Sequence, residues 1–105
     1  YFYDQINAQY NIEDFSIQIL STPGHTCGSV CIQIENCLFT GDTLFRGKIG
    51  RTDLPGGNEQ SLIESMQTIS KLPKDLIIYP GHGKRSTIGN EFKYNLDFTT
   101  ALLWA

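Results

Sequence analysis

The sequence is poor in the features that mark nucleic-acid binding, secretion or membrane insertion. Eight Lys and Arg stand against eleven Asp and Glu, for a formal net charge of -3. That balance gives no electrostatic case for nucleic acid, which would call for a basic face, so no nucleic-acid partner is expected. No apolar run reaches the roughly 18 residues of a membrane-crossing helix, so no membrane partner is expected either. A secretion signal would place a basic stretch before an apolar one near Tyr1, and none is there. Cysteine is sparse and odd in number: Cys27, Cys31 and Cys37. Such a set does not make a disulfide framework, and a reducing, cytoplasmic setting is the expectation. Histidine is scarcer still, with only His25 and His82.

What is present suffices for one modest core. The chain has 105 residues, and its 40% hydrophobic and 18% charged content fits a globular domain rather than a disordered one. It opens on Tyr1 rather than Met and closes on the apolar Ala101-Leu102-Leu103-Trp104-Ala105. These ends lead us to expect a piece of something longer, so residues 1–105 read as a single partial domain.

Alternation supplies the strands. Residues 15–20 set Phe15, Ile17 and Ile19 against Ser16 and Gln18, and the strand pattern stops at Ser21-Thr22-Pro23-Gly24. Residues 29–34 alternate again, with Val30, Ile32 and Ile34 on one face. Glu35-Asn36 makes a tight turn, and 37–40 return as a strand into Gly41-Asp42. The glycine-rich stretch 43–57 reads as a long structured loop, and loops of that length in a small domain usually carry function. Asn58 caps a helix over 59–72 that buries Leu62, Met66 and Ile69 and is closed by Pro73. Residues 76–79 form a short buried strand stopped by Pro80-Gly81, and a last helix runs over 88–96. The order is a mixed α/β layout containing a hairpin. Helices on one side would leave the other sheet face apolar and uncovered. A further half, a second copy or the end segments are expected to cover that face, and the chain by itself is expected to self-associate through it.

Three residues stand in like places. His25 lies in Pro23-Gly24-His25-Thr26, Asp42 in Thr40-Gly41-Asp42-Thr43 and His82 in Pro80-Gly81-His82-Gly83. Each comes just past a predicted strand, with glycine beside it. Three strand ends at one rim of a sheet bring their side chains together. Two imidazoles and a carboxylate there suit zinc, or iron in a two-histidine, one-carboxylate set. The wide spacing is no short-range metal signature, so each histidine also reads as a turn residue. A second constellation, His25 with Cys27, Cys31 and Cys37, has the ligands of a Cys3His zinc site. It lacks paired knuckles, and Cys31 sits on a predicted strand, where a small buried apolar role is commoner. Lys84 and Arg85 form a basic spot, either a solvated face or a hold for an anionic substrate.

Four motifs follow one another in order. They are Thr22-Pro23-Gly24-His25-Thr26-Cys27-Gly28-Ser29, Phe39-Thr40-Gly41-Asp42-Thr43-Leu44-Phe45, Gly50-Arg51-Thr52-Asp53-Leu54-Pro55-Gly56-Gly57 and Tyr79-Pro80-Gly81-His82-Gly83. The run Ser86-Thr87-Ile88-Gly89-Asn90-Glu91 and Asn95 add to them. Together they resemble the back half of the metallo-β-lactamase superfamily, nearest its glyoxalase II-like hydrolases. The resemblance covers the chain from about Phe15 to Asn95. It implies the C-terminal half of an αββα sandwich, with a mixed or antiparallel sheet and helices on one face. It implies His25 as a ligand of a first metal, His82 of a second, and Asp42 as the catalytic carboxylate bridging both. The metals in the full-length protein would be two divalent ions, zinc or else iron or manganese. The implied activity is hydrolysis of a small-molecule thioester or ester by metal-activated water. Arg51 matches a basic position that contacts substrate, although a salt bridge with Asp53 would account for it equally.

The family's remaining ligands come from a His-x-His-x-Asp-His motif that a chain with only His25 and His82 cannot contain. This chain alone is therefore expected to bind metal weakly or not at all and to be inactive. Glyoxalase II itself carries an aromatic residue where Asp53 stands, which sets a glutathione substrate in question. The Gly-Arg-Thr-Asp wording also resembles persulfide dioxygenases, a mononuclear iron branch. A non-catalytic binding module on the same fold is the remaining alternative.

Overall fold

A strand with one buried face shows alternating accessibility, and residues 37–41 do so. The computed structural model describes residues 8–12 and 15–103. Tyr1, Trp104 and Ala105, on which the reading of the ends partly rests, lie outside them. The elements are β1 (Ala8–Ile12), β2 (Phe15–Ser21), β3 (Val30–Ile34), β4 (Cys37–Gly41), β5 (Leu44–Phe45), β6 (Lys48–Ile49), α1 (Glu59–Ser70), β7 (Ile77–Pro80), β8 (Ser86–Thr87), α2 (Ile88–Tyr94) and α3 (Leu96–Leu103). Among the described residues, six strands form one sheet in the order β1-β2-β3-β4-β7-β8. All neighbours are antiparallel except β4 and β7, which run parallel. The fold is thus mixed α/β, as the sequence implied.

One face of the sheet is packed and the other is not. Cys31, Leu38 and Ile78 point to the packed side and are fully buried. Leu62, Met66 and Ile69 of α1 and Phe98 and Ala101 of α3 meet them in one core, and each Leu, Ile, Met or Phe among them contributes roughly 1.5–3 kcal/mol by leaving water. On the opposite side, cross-strand partners bring Ile17 beside Ile34, Ile19 beside Ile32, Ile32 beside Phe39 and Phe39 beside Tyr79. None of these is buried. Among the described residues, then, the sheet carries helices on one face and an apolar, open surface on the other.

Local chemistry accounts for the boundaries. Asn58 caps α1, its side chain accepting from the Ser61 N–H at 2.9 Å. The helix stops at Ser70 rather than 72, because Lys71 and Leu72 bond three residues back, to Thr68 and Ile69, and tighten the last turn. The Glu35-Asn36 turn forms as expected, with Glu35 in the left-handed region at φ 53.

Four features depart from the expected layout. The loop 43–57 contains the small hairpin β5–β6. β1 and β8 add edge strands. The single helix expected over 88–96 is two helices, because Asn95 turns extended and its side chain accepts from the Phe98 N–H at 2.9 Å, opening α3. Among the described residues no helix is long and apolar enough to cross a membrane.

Candidate metal centre at the sheet rim

Strand direction puts the three candidate residues together. β3 runs against both β2 and β4, so β2 and β4 point the same way, and β7 is parallel to β4. All three end at one rim, and His25, Asp42 and His82 each follow one of those ends. Loop bonds fix the rim. The Gly81 N–H donates to the Gly41 carbonyl at 2.8 Å and the Gly50 N–H to the Thr43 carbonyl at 2.9 Å. The His25 loop is tied to α1 by the Asn58 N–H on the Gly24 carbonyl at 2.7 Å and the Ser65 hydroxyl on the Pro23 carbonyl at 2.7 Å.

Two glycines make the approach feasible. A Cβ at Gly24, whose φ is 146, would overlap the backbone of Leu62 in α1. A Cβ at Gly50 would overlap the Asp42 carbonyl oxygen and press on the His25 Cβ. The rim thus depends on residues without side chains at the places where backbone meets backbone.

Asp42 stands between the two imidazoles. Its Oδ2 lies 3.7 Å from His25 Nε2 and its Oδ1 lies 3.5 Å from His82 Nε2. These are two separate pairs sharing a carboxylate: among the described residues no group of three or more His, Cys, Asp or Glu closes round one point. Both separations exceed ordinary hydrogen-bond lengths. They suit ligands of a shared cation, since two donors about 2.1 Å from one ion at a tetrahedral angle lie about 3.4 Å apart.

The His25 ring is held in one orientation. Its Nδ1 is 2.8 Å from the Arg51 carbonyl. A carbonyl only accepts, so Nδ1 carries a hydrogen, and the ring is held with Nε2 facing Asp42. Such a backbone partner on the far ring nitrogen is the usual way of orienting a metal-binding histidine. His25 is the sheltered member, with 20% of its side chain accessible, whereas Asp42 is 44% and His82 81% accessible. The donor set and the ring orientation fit a divalent cation, but the described part of the rim offers too few ligands to enclose one.

Arg51 serves the site through its backbone. Its guanidinium makes two hydrogen bonds to Asp53, at 2.8 and 3.0 Å. The pairing raises the guanidinium above its already high range and holds the Asp53 carboxyl below the usual carboxylate value. The salt-bridge alternative is thus realised, on an exposed loop. Among the cysteines, Cys31 is buried and its thiol is pushed up to about 11 by loss of solvation. Cys27 is exposed and Cys37 half-buried.

The three candidate residues line a cleft of about 360 Å³ with Phe45, Lys48, Ile49 and Arg51. A second cleft of about 600 Å³ shares Phe45, Lys48 and His82 with it, and there Arg46, Lys48 and Lys84 supply positive charge. Phe45 stacks on the His82 ring, with centroids 6.4 Å apart. Sequence reasoning assigned no role to the Phe45–His82 contact, to the Arg51 carbonyl or to the buried Glu91. For Glu91 a signal existed: Ile88, Glu91 and Asn95 share one helix face, where polar groups are out of place unless they have partners.

Known proteins show the same arrangement of sequence and fold. Residues 11–82 match the model of the Metallo-beta-lactamase superfamily. The hydroxyacylglutathione hydrolase GloC of Haemophilus influenzae is 43% identical over 96 residues, covering 89% of this chain and 45% of that protein. The crystal structure of BLEG-1 B3 metallo-beta-lactamase aligns with a TM-score of 0.81 at 41% identity, over 87% of this chain and 45% of that one. TTHA1623, solved in a di-iron-bound form, aligns with a TM-score of 0.75 at 37% identity, over 83% and 44% respectively. The chain spans less than half the length of the curated relatives it matches. Motif, rim and fold agree: this chain belongs to the metallo-beta-lactamase superfamily.

Proposed function

We propose that this chain forms one side of the active site of a metal-dependent hydrolase that cleaves a thioester or ester. The observation that carries the reading is the Asp42 carboxylate set between two imidazole Nε2 atoms at 3.7 and 3.5 Å, with the His25 ring held in that orientation by the Arg51 carbonyl. In this reading His25, Asp42 and His82 would hold the metal, with the Asp42 carboxylate shared between the two histidines. Divalent ions, if held by these residues, would supply an activated water near neutral pH and a polarising charge for the scissile carbonyl. The chain's own residues orient and shelter. The Arg51 carbonyl keeps His25 in one tautomer, and Phe45 backs the exposed His82 ring. Lys48 and Lys84 beside His82 draw in a substrate that bears negative charge. The similarity to GloC supports a thioester as substrate. The further ligands come from chain outside these 105 residues.

Elemental analysis of this chain beside a longer protein that extends it upstream tests the proposal. About two metal ions in the longer protein, almost none here, and thioester hydrolysis by the longer form alone are the expected results. No metal in either would leave a binding module on the family fold. Bound iron with oxygen consumption would instead place the protein with the persulfide dioxygenases.

A further inference from the structure

Glu91 is a carboxylate inside the fold, only 1% exposed, on the helix face it shares with Ile88 and Asn95. A buried acid requires hydrogen-bond partners, and three donors meet it. One oxygen accepts from the Gly47 N–H at 2.9 Å and from the Asn95 amide at 2.8 Å, and the other accepts from the Ser86 hydroxyl. Asn95, equally buried, extends the contact. Its amide nitrogen also reaches the Lys48 carbonyl at 3.1 Å and the Phe45 carbonyl at 3.3 Å. Glu91 and Asn95 thus hold three backbone groups of the exposed β5–β6 turn from below.

That hairpin touches one imidazole and leads directly to the carbonyl that holds the other. Phe45, at its start, stacks on His82. β6, at its end, runs through Gly50 into Arg51, whose carbonyl holds His25 Nδ1. A hairpin with two-residue strands has no stability of its own, so its position is set by what it is tied to. We infer that Glu91 and Asn95 are positioning residues that aim both His25 and His82 through this one hairpin. The consequence for metal binding rests on the hydrolase reading, whereas the consequence for ring geometry does not.

Asn95→Asp separates this role from simple helix support. The side chain keeps its shape and can still accept from the Phe98 N–H, so the start of α3 is preserved. Its other end turns from donor to acceptor, facing the Phe45 and Lys48 carbonyls and the Glu91 carboxylate. Glu91→Gln is the conservative counterpart. Its amide oxygen can still accept from Gly47, and the Ser86 hydroxyl can reverse to accept from the new amide.

In the complete protein, zinc affinity measured by chelator competition is expected to fall about 10- to 100-fold for Asn95→Asp, and to stay near the parent value for Glu91→Gln. Nitrogen NMR of the metal-free protein should show the His25 ring leaving its Nδ1-protonated tautomer in Asn95→Asp only. In the unaltered protein the Gly47 amide should exchange slowly despite its exposed turn, a measurement that needs no variant to fold. Fast exchange at Gly47, or an Asn95→Asp protein with unchanged His25 tautomer and zinc affinity, would overturn the inference. A parent protein that binds no zinc would instead remove the hydrolase reading, with the clamp still decided by the exchange and tautomer data.

Discussion

Replacing Phe39 by lysine probes what covers the open sheet face. Phe39 is 43% exposed and stacks on Tyr79 with ring centroids 5.5 Å apart. A phenylalanine presents about 200 Å², so about 85 Å² of it remains in water. Burying that area is worth about 2 kcal/mol at 25 cal/mol per Å². In a two-fold dimer formed face to face the same patch occurs twice. Phe39→Lys therefore costs about 4 kcal/mol of association, on the order of a thousandfold in dissociation constant, and the buried ammonium adds to the penalty. We expect the 105-residue chain to associate through this face, as measured by sedimentation velocity over a wide concentration range, and Phe39→Lys to shift it to monomer. Thermal unfolding of both proteins checks that the variant folds. A parent chain that stays monomeric at every concentration would refute the reasoning, as would a variant that associates like its parent.

The remaining predictions concern the rim and its supports. Gly50→Ala should displace the Asp42 backbone from His25, because the new methyl overlaps the Asp42 carbonyl. Urea titration should show a loss of about 1–3 kcal/mol, and metal content in the complete protein should drop with it. Asn58→Ala removes the cap of α1 and should cost about 1 kcal/mol by the same titration. Asp42→Asn in the complete protein should lower metal content and hydrolysis together while leaving far-UV dichroism unchanged, since Asp42 contacts the two imidazoles rather than the core. Cys27 should alkylate well before Cys31, whose thiol is shielded and raised to about 11 from 9.0. The folded state holds the Cys31 proton more tightly than the unfolded state does. Its contribution to stability is therefore intact below about pH 9 and is lost as pH rises toward 11, a trend that denaturation midpoints across that range would reveal.

Much of the architecture was legible along the chain because its signals are local. Alternation identified β2, β3 and β4, and Asn58 with the Leu62, Met66 and Ile69 stripe identified α1. The glycine-flanked His25, Asp42 and His82 marked three strand ends. Other features gave no such signal. β5, β6 and β8 have two residues each, too few to show a period. The break at Asn95 looked like continued helix because an asparagine within a run of helix formers is ambiguous until its side chain finds a partner. Arg51 drew attention by its charge, yet its backbone carbonyl is what touches the site, and carbonyls leave no mark in a sequence.

Alternation and turn signals alone determined a mixed α/β layout, because propensities and turn chemistry act over a few neighbours, and the resemblance of the ordered motifs pointed to this superfamily and to the residue types of its rim. Tertiary structure decided the rest. Strand direction across β2, β3, β4 and β7 determined that His25, Asp42 and His82 share one rim. Packing determined that Glu91 and Asn95 reach 44 to 50 residues back along the chain to hold the hairpin beside them. Contacts between residues so far apart exist only once the chain has closed on its core, so no local rule could have announced them.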